Sequence, residues 1–233
     1  YVNYLREGNE FMKRVNKDLL SQALLALYKS TYEFNTIAGK SLSSESLESQ
    51  KGLIIEEGKE TIVAKLTSDR VEFLDGILDL LVVTSFAVMC QDGDTTLLKD
   101  APRYLNHDNK SQSTLVGEAV TYLLNEDYIN LLGTLEDIAY IMEGDTIHNI
   151  YNVAESNLSK YVPIDLVEDP DTIAFDIEAQ GRYTQVEYSV AKMTCGKEVY
   201  VFTAGYDVEN KKAYSVPKVV KPKGFFKEPQ LIL

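Results

Sequence analysis

The chain has 233 residues, is 45% hydrophobic, and carries a formal net charge of −13 with a pI near 4.6. That is enough apolar material for one domain of ordinary size plus a smaller appendage, and the acidity works against binding the phosphates of a nucleic-acid polymer. It excludes neither a small nucleotide, because divalent metals bridge carboxylates to phosphates, nor an acidic surface that mimics DNA and captures a basic protein.

The first 160 residues read mostly as helix. "EFMKRVNKDLLSQALLALYKSTYEFNTIA" has apolar residues at roughly helical spacing, and "GKSLSSESLES" reads as a loop running into the next helix. "GLIIEEGKETIVAKL", 52–66, continues that helix. A long helix follows over 68–90, with Ser68 or Asp69 as its cap, and stops at "QDGD". The polar segment "KDAPRYLNHDNKSQS", with Pro102, predicts a loop. "STLVGEAVTYLLNEDYINLLGTLEDIAYIM" fits two further helices, "GD" at 144–145 breaks the chain, and "TIHNIYNVAESNLSKY" carries the last. After Pro163 the pattern changes. "RYTQVEYSVA" and "EVYVFTAGY", separated by "KMTCGK" with Gly196 at the turn, predict a β-hairpin, with room for a third strand at "KAYSVPKVV". The tail "KPKGFFKEPQLIL" reads as extended. The expected class is mainly α: an antiparallel helical bundle over 1–163 and a small β-hairpin appendage with a tail over 164–233, packed on the bundle.

Cys90 and Cys195 lie far apart and form no metal-ligand or redox spacing, which predicts two free thiols in a reduced, cytoplasmic protein. No run of about 18 uncharged apolar residues suggests a membrane span. No signal peptide is visible, and a start at Tyr1 is compatible with a trimmed leader.

The chemistry lies in two acidic stripes. At about 100° per residue, Glu72, Asp75 and Asp79 fall within about 60° of one another on a helix that is apolar almost all round. Carboxylates in a buried stripe must be protonated, paired with bases or bound to metal. On the preceding helix Glu56, Glu57 and Glu60 also share one side. If the two helices pack antiparallel across the short "TSDR" joint, six oxygen donors converge, a set suited to Mg²⁺ or Mn²⁺ rather than zinc.

"IIEEGKE" followed by "EFLDGILD" resembles the EExxE…ExxD signature of the all-α nucleoside triphosphate pyrophosphatases, the group of MazG-like proteins and dimeric dUTPases, in its phage-type form. "VAESNLSKY" resembles the SNxxK motif of its MazG-like members, "KVVKPKGFFKEPQL" resembles the tail that follows it, and "YEFNTIAGK" is similar to the family's first-helix end. Gly76 stands three before Asp79, so either Glu72 with Asp75 or Asp75 with Asp79 takes the ExxD role. The resemblance implies a helical bundle that binds Mg²⁺ and hydrolyses a nucleoside triphosphate to the monophosphate and pyrophosphate. It also implies a homodimer or higher homo-oligomer. The expected ligands are Glu57, Glu60, Glu72, Asp75 and Asp79, with Glu56 holding or deprotonating the water and exchange of roles between Glu56 and Glu57 left open. Lys160, then Lys221, are expected to reach pyrophosphate, and Asn157 and Asn35 to read base or ribose. Arg182 is expected to pair with an acidic neighbour. The non-enzymatic alternative is an acidic module that sequesters a nucleotide or a DNA-binding protein.

Overall fold

A computed structural model of the chain describes residues 3–7, 10–14, 16–99, 110–142 and 144–233. Among these the protein is mostly helical, with seven α-helices and a small antiparallel sheet toward the C-terminal end. It folds as two compact units, Tyr1–Tyr32 with Ser41–Ala154 and Pro229–Leu233, and Glu33–Lys40 with Glu155–Glu228. The second unit thus takes residues 33–40 as well as 155–228, and residues 229–233 belong to the first unit.

A short hairpin of β1 (Asn3–Glu7) and β2 (Glu10–Arg14) opens the chain. Helix was expected from Glu10. Glu10–Arg14 is instead strand β2, paired with β1, and the helix begins only at α1 (Lys17–Ile37). Asn16 starts that helix, its Oδ1 accepting the N–H groups of Asp18 and Leu19.

Helix α2 (Ser44–Thr67) is capped by Ser43, whose Oγ accepts the Ser46 N–H at 3.3 Å. It ends at Ser68, which takes the left-handed conformation at φ 60°. Asp69 then caps α3 (Arg70–Asp92), its Oδ1 accepting the Glu72 N–H at 3.1 Å. A joint of two residues leaves room only for a tight reversal. The helices run antiparallel, with Lys65 against the Phe73 ring at 4.8 Å and Thr61 against Gly76.

Their approach depends on Gly76. A Cβ there would stand 2.3 Å from Thr61 Oγ1 and 3.2 Å from the Thr61 Cα. Gly76→Ala is therefore expected to destabilise the first unit by about 1–3 kcal/mol, because a backbone must shift. Gly117, in helix α4 (Gln112–Leu124), has nothing within 4 Å of the same hypothetical atom, and Gly117→Ala is expected to stabilise by about 0.5–1 kcal/mol. Urea midpoints of the two variants check the pair, and a Gly76→Ala protein as stable as the parent would refute the close approach.

Helix α3 buries Phe73, Leu74, Ile77, Leu78, Leu80 and Leu81 in the main core. It is long and apolar enough to cross a membrane, but 78% of that stretch is buried inside the fold, as a core helix requires. Helix α5 (Tyr128–Ile141) is buried without a break from Leu131 to Tyr140. Helices α4 and α5 fall where expected, while the loop expected around Pro102 lies outside the described residues. Helix α6 (Thr146–Leu158) follows Gly144.

The second unit is larger than a hairpin. Strands β4 (Tyr183–Lys192) and β5 (Glu198–Asp207) pair as expected, with Tyr188 opposite Phe202, and Gly196 lies in the turn at φ 88°. Strand β5 also pairs with β3 (Val162–Pro163) and with β6 (Lys212–Val219), making four strands. Between β3 and β4 lies a helix that the β-rich reading missed, α7 (Pro170–Ala179). Its signal is local: Asp169 caps it, accepting the Asp171 N–H at 3.0 Å, and Pro170 occupies its first turn. Ile177 of α7 packs with Val162, Phe202, Ala204 and Val220 over the sheet.

Candidate metal and proton-transfer site

Antiparallel packing of α2 on α3 brings most of the acidic residues together. Glu57 is half-buried, and its carboxyl is pushed up to about 7. Desolvation is the largest cause, followed by the charges of Asp79, Glu60, Glu56 and Asp75. Five carboxylates from two helices therefore share one field, with Glu57 at its centre. The stripes are less buried than expected. Asp75 and Asp79 are half-buried, and Glu56 and Glu60 are exposed. Apolar residues cover the neighbouring arcs of α3, but the α2–α3 seam opens to water along the acidic edge.

Glu72 departs from the expected set. It lies in the first turn of α3, exposed, and the charges that raise Glu57 most are those of Asp79, Glu60, Glu56 and Asp75. Thr61 marks the level of Gly76, so Glu72 sits a turn nearer the joint, at the level where Lys65 meets Phe73. Glu57 is the half-buried carboxyl of this cluster, held near neutrality, while Glu56 beside it is exposed.

The fit to Mg²⁺ is one of chemistry. The donors are all carboxylate oxygens, as a hard cation prefers, yet among the described residues no three of them are gathered closely enough to enclose an ion.

The residues expected to meet phosphate and base lie in the second unit. Lys160 Nζ donates to Asn157 Oδ1 at 2.8 Å and stands over the Phe34 ring at 4.8 Å, while Phe34 stacks on Tyr161 at 5.4 Å. Asn35, next along α1, is 4% exposed. Asn157 and Lys160 thus form a pair, as the SNxxK spacing of one helical turn allows. Lys221 sits over the Phe226 ring at 4.3 Å. Phe225 packs on the sheet of its own unit, and Lys227 pairs with Glu155. Arg182 pairs with Asp207 at 3.6 Å and Glu209 at 3.4 Å, as expected. Cys90 is buried and Cys195 exposed, and neither forms a disulfide among the described residues.

Sequence reasoning missed one group. Glu136 and Asp137 on α5 are 0% and 2% exposed. Tyr28 of α1 donates its hydroxyl to Glu136 Oε1 at 2.5 Å, and Oε2 has no hydrogen-bond partner among the described residues. Burial pushes the Glu136 carboxyl up to about 8, the Tyr28 hydrogen bond opposes this, and the charge of Asp137 adds to it. The signal was present in "TLEDIAYI": acidic residues inside an apolar run, as in α3.

No known protein family, no curated protein and no solved structure matches the chain.

Proposed function

We propose that the protein is a Mg²⁺-dependent nucleoside triphosphate pyrophosphohydrolase, cleaving a (d)NTP between the α- and β-phosphates to the monophosphate and pyrophosphate. The observation that carries this reading is the convergence of Glu56, Glu57 and Glu60 of α2 with Asp75 and Asp79 of α3 across the Gly76–Thr61 contact. That is the pair of acidic motifs, on an antiparallel helix pair, that the resemblance to the all-α pyrophosphatases implies. The same reading takes the helices as an antiparallel bundle, the chain as a homo-oligomer, and Mn²⁺ as a substitute ion.

Glu56, Glu60, Asp75 and Asp79 would hold the ion, and Mg²⁺ when bound supplies neutralisation of phosphate charge and a more acidic water. Glu57 orients a water by accepting its hydrogen bond. As that oxygen attacks phosphorus and the anhydride P–O bond breaks, Glu57 takes the proton. Its position between apolar seam and acidic edge keeps it a usable base near neutral pH. Asp79 and Asp75 hold negative charge on the α3 side, which fixes where a cation collects.

The test is to incubate the protein with each common nucleoside triphosphate, with Mg²⁺ and separately with EDTA. Monophosphate and pyrophosphate in equal amounts, with Mg²⁺ alone, are the expected products. Absence of both from every nucleotide would overturn the proposal. Mg²⁺ is also expected to raise Tm, because it binds the folded site and not the unfolded chain. A variant carrying Glu60→Gln, Asp75→Asn and Asp79→Asn should lose most of that rise.

A further inference from the structure

The negative charge of the chain is unevenly placed. The second unit holds 13 acidic and 11 basic residues, a net of −2, so −11 of the total −13 lies in the first. Within the second unit, residues 210–227 carry six lysines and no acidic residue. Exposed charges more than about 10 Å apart are largely screened at ordinary salt, so the local sign decides what approaches a surface. The acidity that works against a phosphate polymer is thus a property of the first unit.

Strand register gathers part of the basic charge on one face of the sheet. Tyr183 of β4, Asp207 of β5 and Lys212 of β6 stand directly opposite one another, and Lys218 stands opposite Ala204. Residues paired in this way point their side chains to the same side. Two half-buried rings, Tyr183 and Tyr214, lie among three exposed cations. Arg182 Cζ is 5.0 Å from the Tyr183 ring centre and Lys212 Nζ is 5.6 Å from that of Tyr214. Lys218 Nζ is shared, 6.0 Å from Tyr183 and 5.7 Å from Tyr214. A ring face holds a cation in place without cancelling its charge. Asp207, 0% exposed, accepts the Asn210 N–H, the Asn210 Nδ2 and the Tyr214 hydroxyl, and with Glu209 it meets Arg182. Glu178 of α7 accepts the Val186 N–H at 2.9 Å and borders the face on the α7 side. Four cations, counting exposed Lys211, thus share the face with Glu209 and with an Asp207 that lies beneath its surface.

We propose that Arg182, Tyr183, Lys212, Tyr214 and Lys218 form a binding face for single-stranded nucleic acid. The cations meet phosphates, and the exposed sides of the two rings take bases. A sheet face with half-exposed aromatics flanked by cations suits an unpaired strand, because every base has a π-face and only an unpaired one can reach a ring. A duplex keeps its bases stacked and offers such a face its backbone alone. The two lysines are also spaced for separate phosphates: their partners Asp207 and Ala204 are three residues apart on β5, about 10 Å. This site is independent of the acidic cluster and of nucleotide hydrolysis.

The experiment uses the full chain in EDTA, which keeps metal from bridging phosphate to the acidic cluster. The probe is a fluorescein-labelled oligothymidine of about 12 nucleotides, read by fluorescence anisotropy. The strand is expected to bind, and raising salt from about 50 to about 200 mM should weaken binding about 20-fold, as three phosphate contacts require. Lys212→Glu with Lys218→Glu should weaken it at least about tenfold. Lys192→Glu with Lys197→Glu makes the same change of charge at the other end of the β4–β5 hairpin, about 30 Å from Tyr183, and should leave affinity within about threefold. An abasic strand of equal length and a dA·dT duplex should each bind at least about fivefold more weakly than the oligothymidine, a comparison that leaves the protein unaltered. Absence of binding at about 50 mM salt, equal weakening by the two double variants, or an abasic strand or duplex that binds as tightly as the oligothymidine would each overturn the proposal.

Discussion

Glu57→Gln is expected to lower kcat on the preferred nucleotide by about 10²–10³ and, in the same protein, to raise the Tm of the metal-free form. The loss of rate is that of a positioned base, for which general base catalysis supplies about 10²–10⁴-fold. The gain in stability comes from the opposite side of the same arrangement. Glu57 is the carboxyl on which burial and the charges of Asp79, Glu60, Glu56 and Asp75 all press. Its folded value is raised from 4.5 to about 7, so its favourable contribution is complete below the ordinary glutamate range and is lost as pH rises through about 7. Gln does not titrate. The advantage of the variant should therefore be small at pH 5 and larger at pH 8. Rate and Tm measured across that range check both halves. Unchanged turnover would remove Glu57 from the chemistry, and a lowered Tm at pH 8 would contradict the repulsion at the α2–α3 seam.

The stability of the first unit is expected to fall with pH between about 5 and 8, chiefly through Glu136. This carboxyl is buried, accepts the Tyr28 hydroxyl, and lies beside buried Asp137. Burial holds it protonated, with a folded value near 8 against 4.5 in the open chain. Below about 4.5 both states carry the proton and the contribution is whole. Above that the unfolded chain releases its proton while the folded one does not, and stability falls by at most about 1.4 kcal/mol per pH unit until the folded group also ionises. Over the window this reaches roughly 3–4 kcal/mol, a large part of a domain's stability of about 5–15 kcal/mol. Glu136→Gln keeps an oxygen for Tyr28 and removes the titration. Its urea midpoint should lie at or below that of the parent at pH 5, because the new amide donors are buried, and above it at pH 9. Parallel pH profiles for the two proteins would show that Glu136 does not titrate in this range.

Both expectations depend on features with different degrees of legibility. The helix pair α2–α3 was readable because the pattern is local: a serine and an aspartate at the joint, a helix apolar nearly all round, and acids at spacings of three and four. The hairpin β4–β5 was readable for the same reason, since alternating Val, Tyr and Phe flank a turn glycine. The strand β2 and the helix α7 were misread, because a short segment with mixed propensity takes its state from pairing and capping rather than from composition. At the candidate site the sequence supplied six acids, but their identity could not say which would face one another. Glu72 shares its stripe with Asp75 and Asp79 by angle, and lies about two turns away from Glu57 by height.

By itself, then, the sequence determined the mainly helical class, the acidic pair of motifs and the place of the C-terminal strands. These follow from periodicity, turn chemistry and spacing, which act over a few residues. Tertiary structure alone decided that Glu57 stands at the centre of the acidic field, that Tyr28 meets Glu136 across 108 positions of chain, and that Asn149 grips Ile232 across 83. Each of these depends on which helix faces meet and at what height. That is set by the packing of whole side-chain surfaces, including the absence of a Cβ at Gly76.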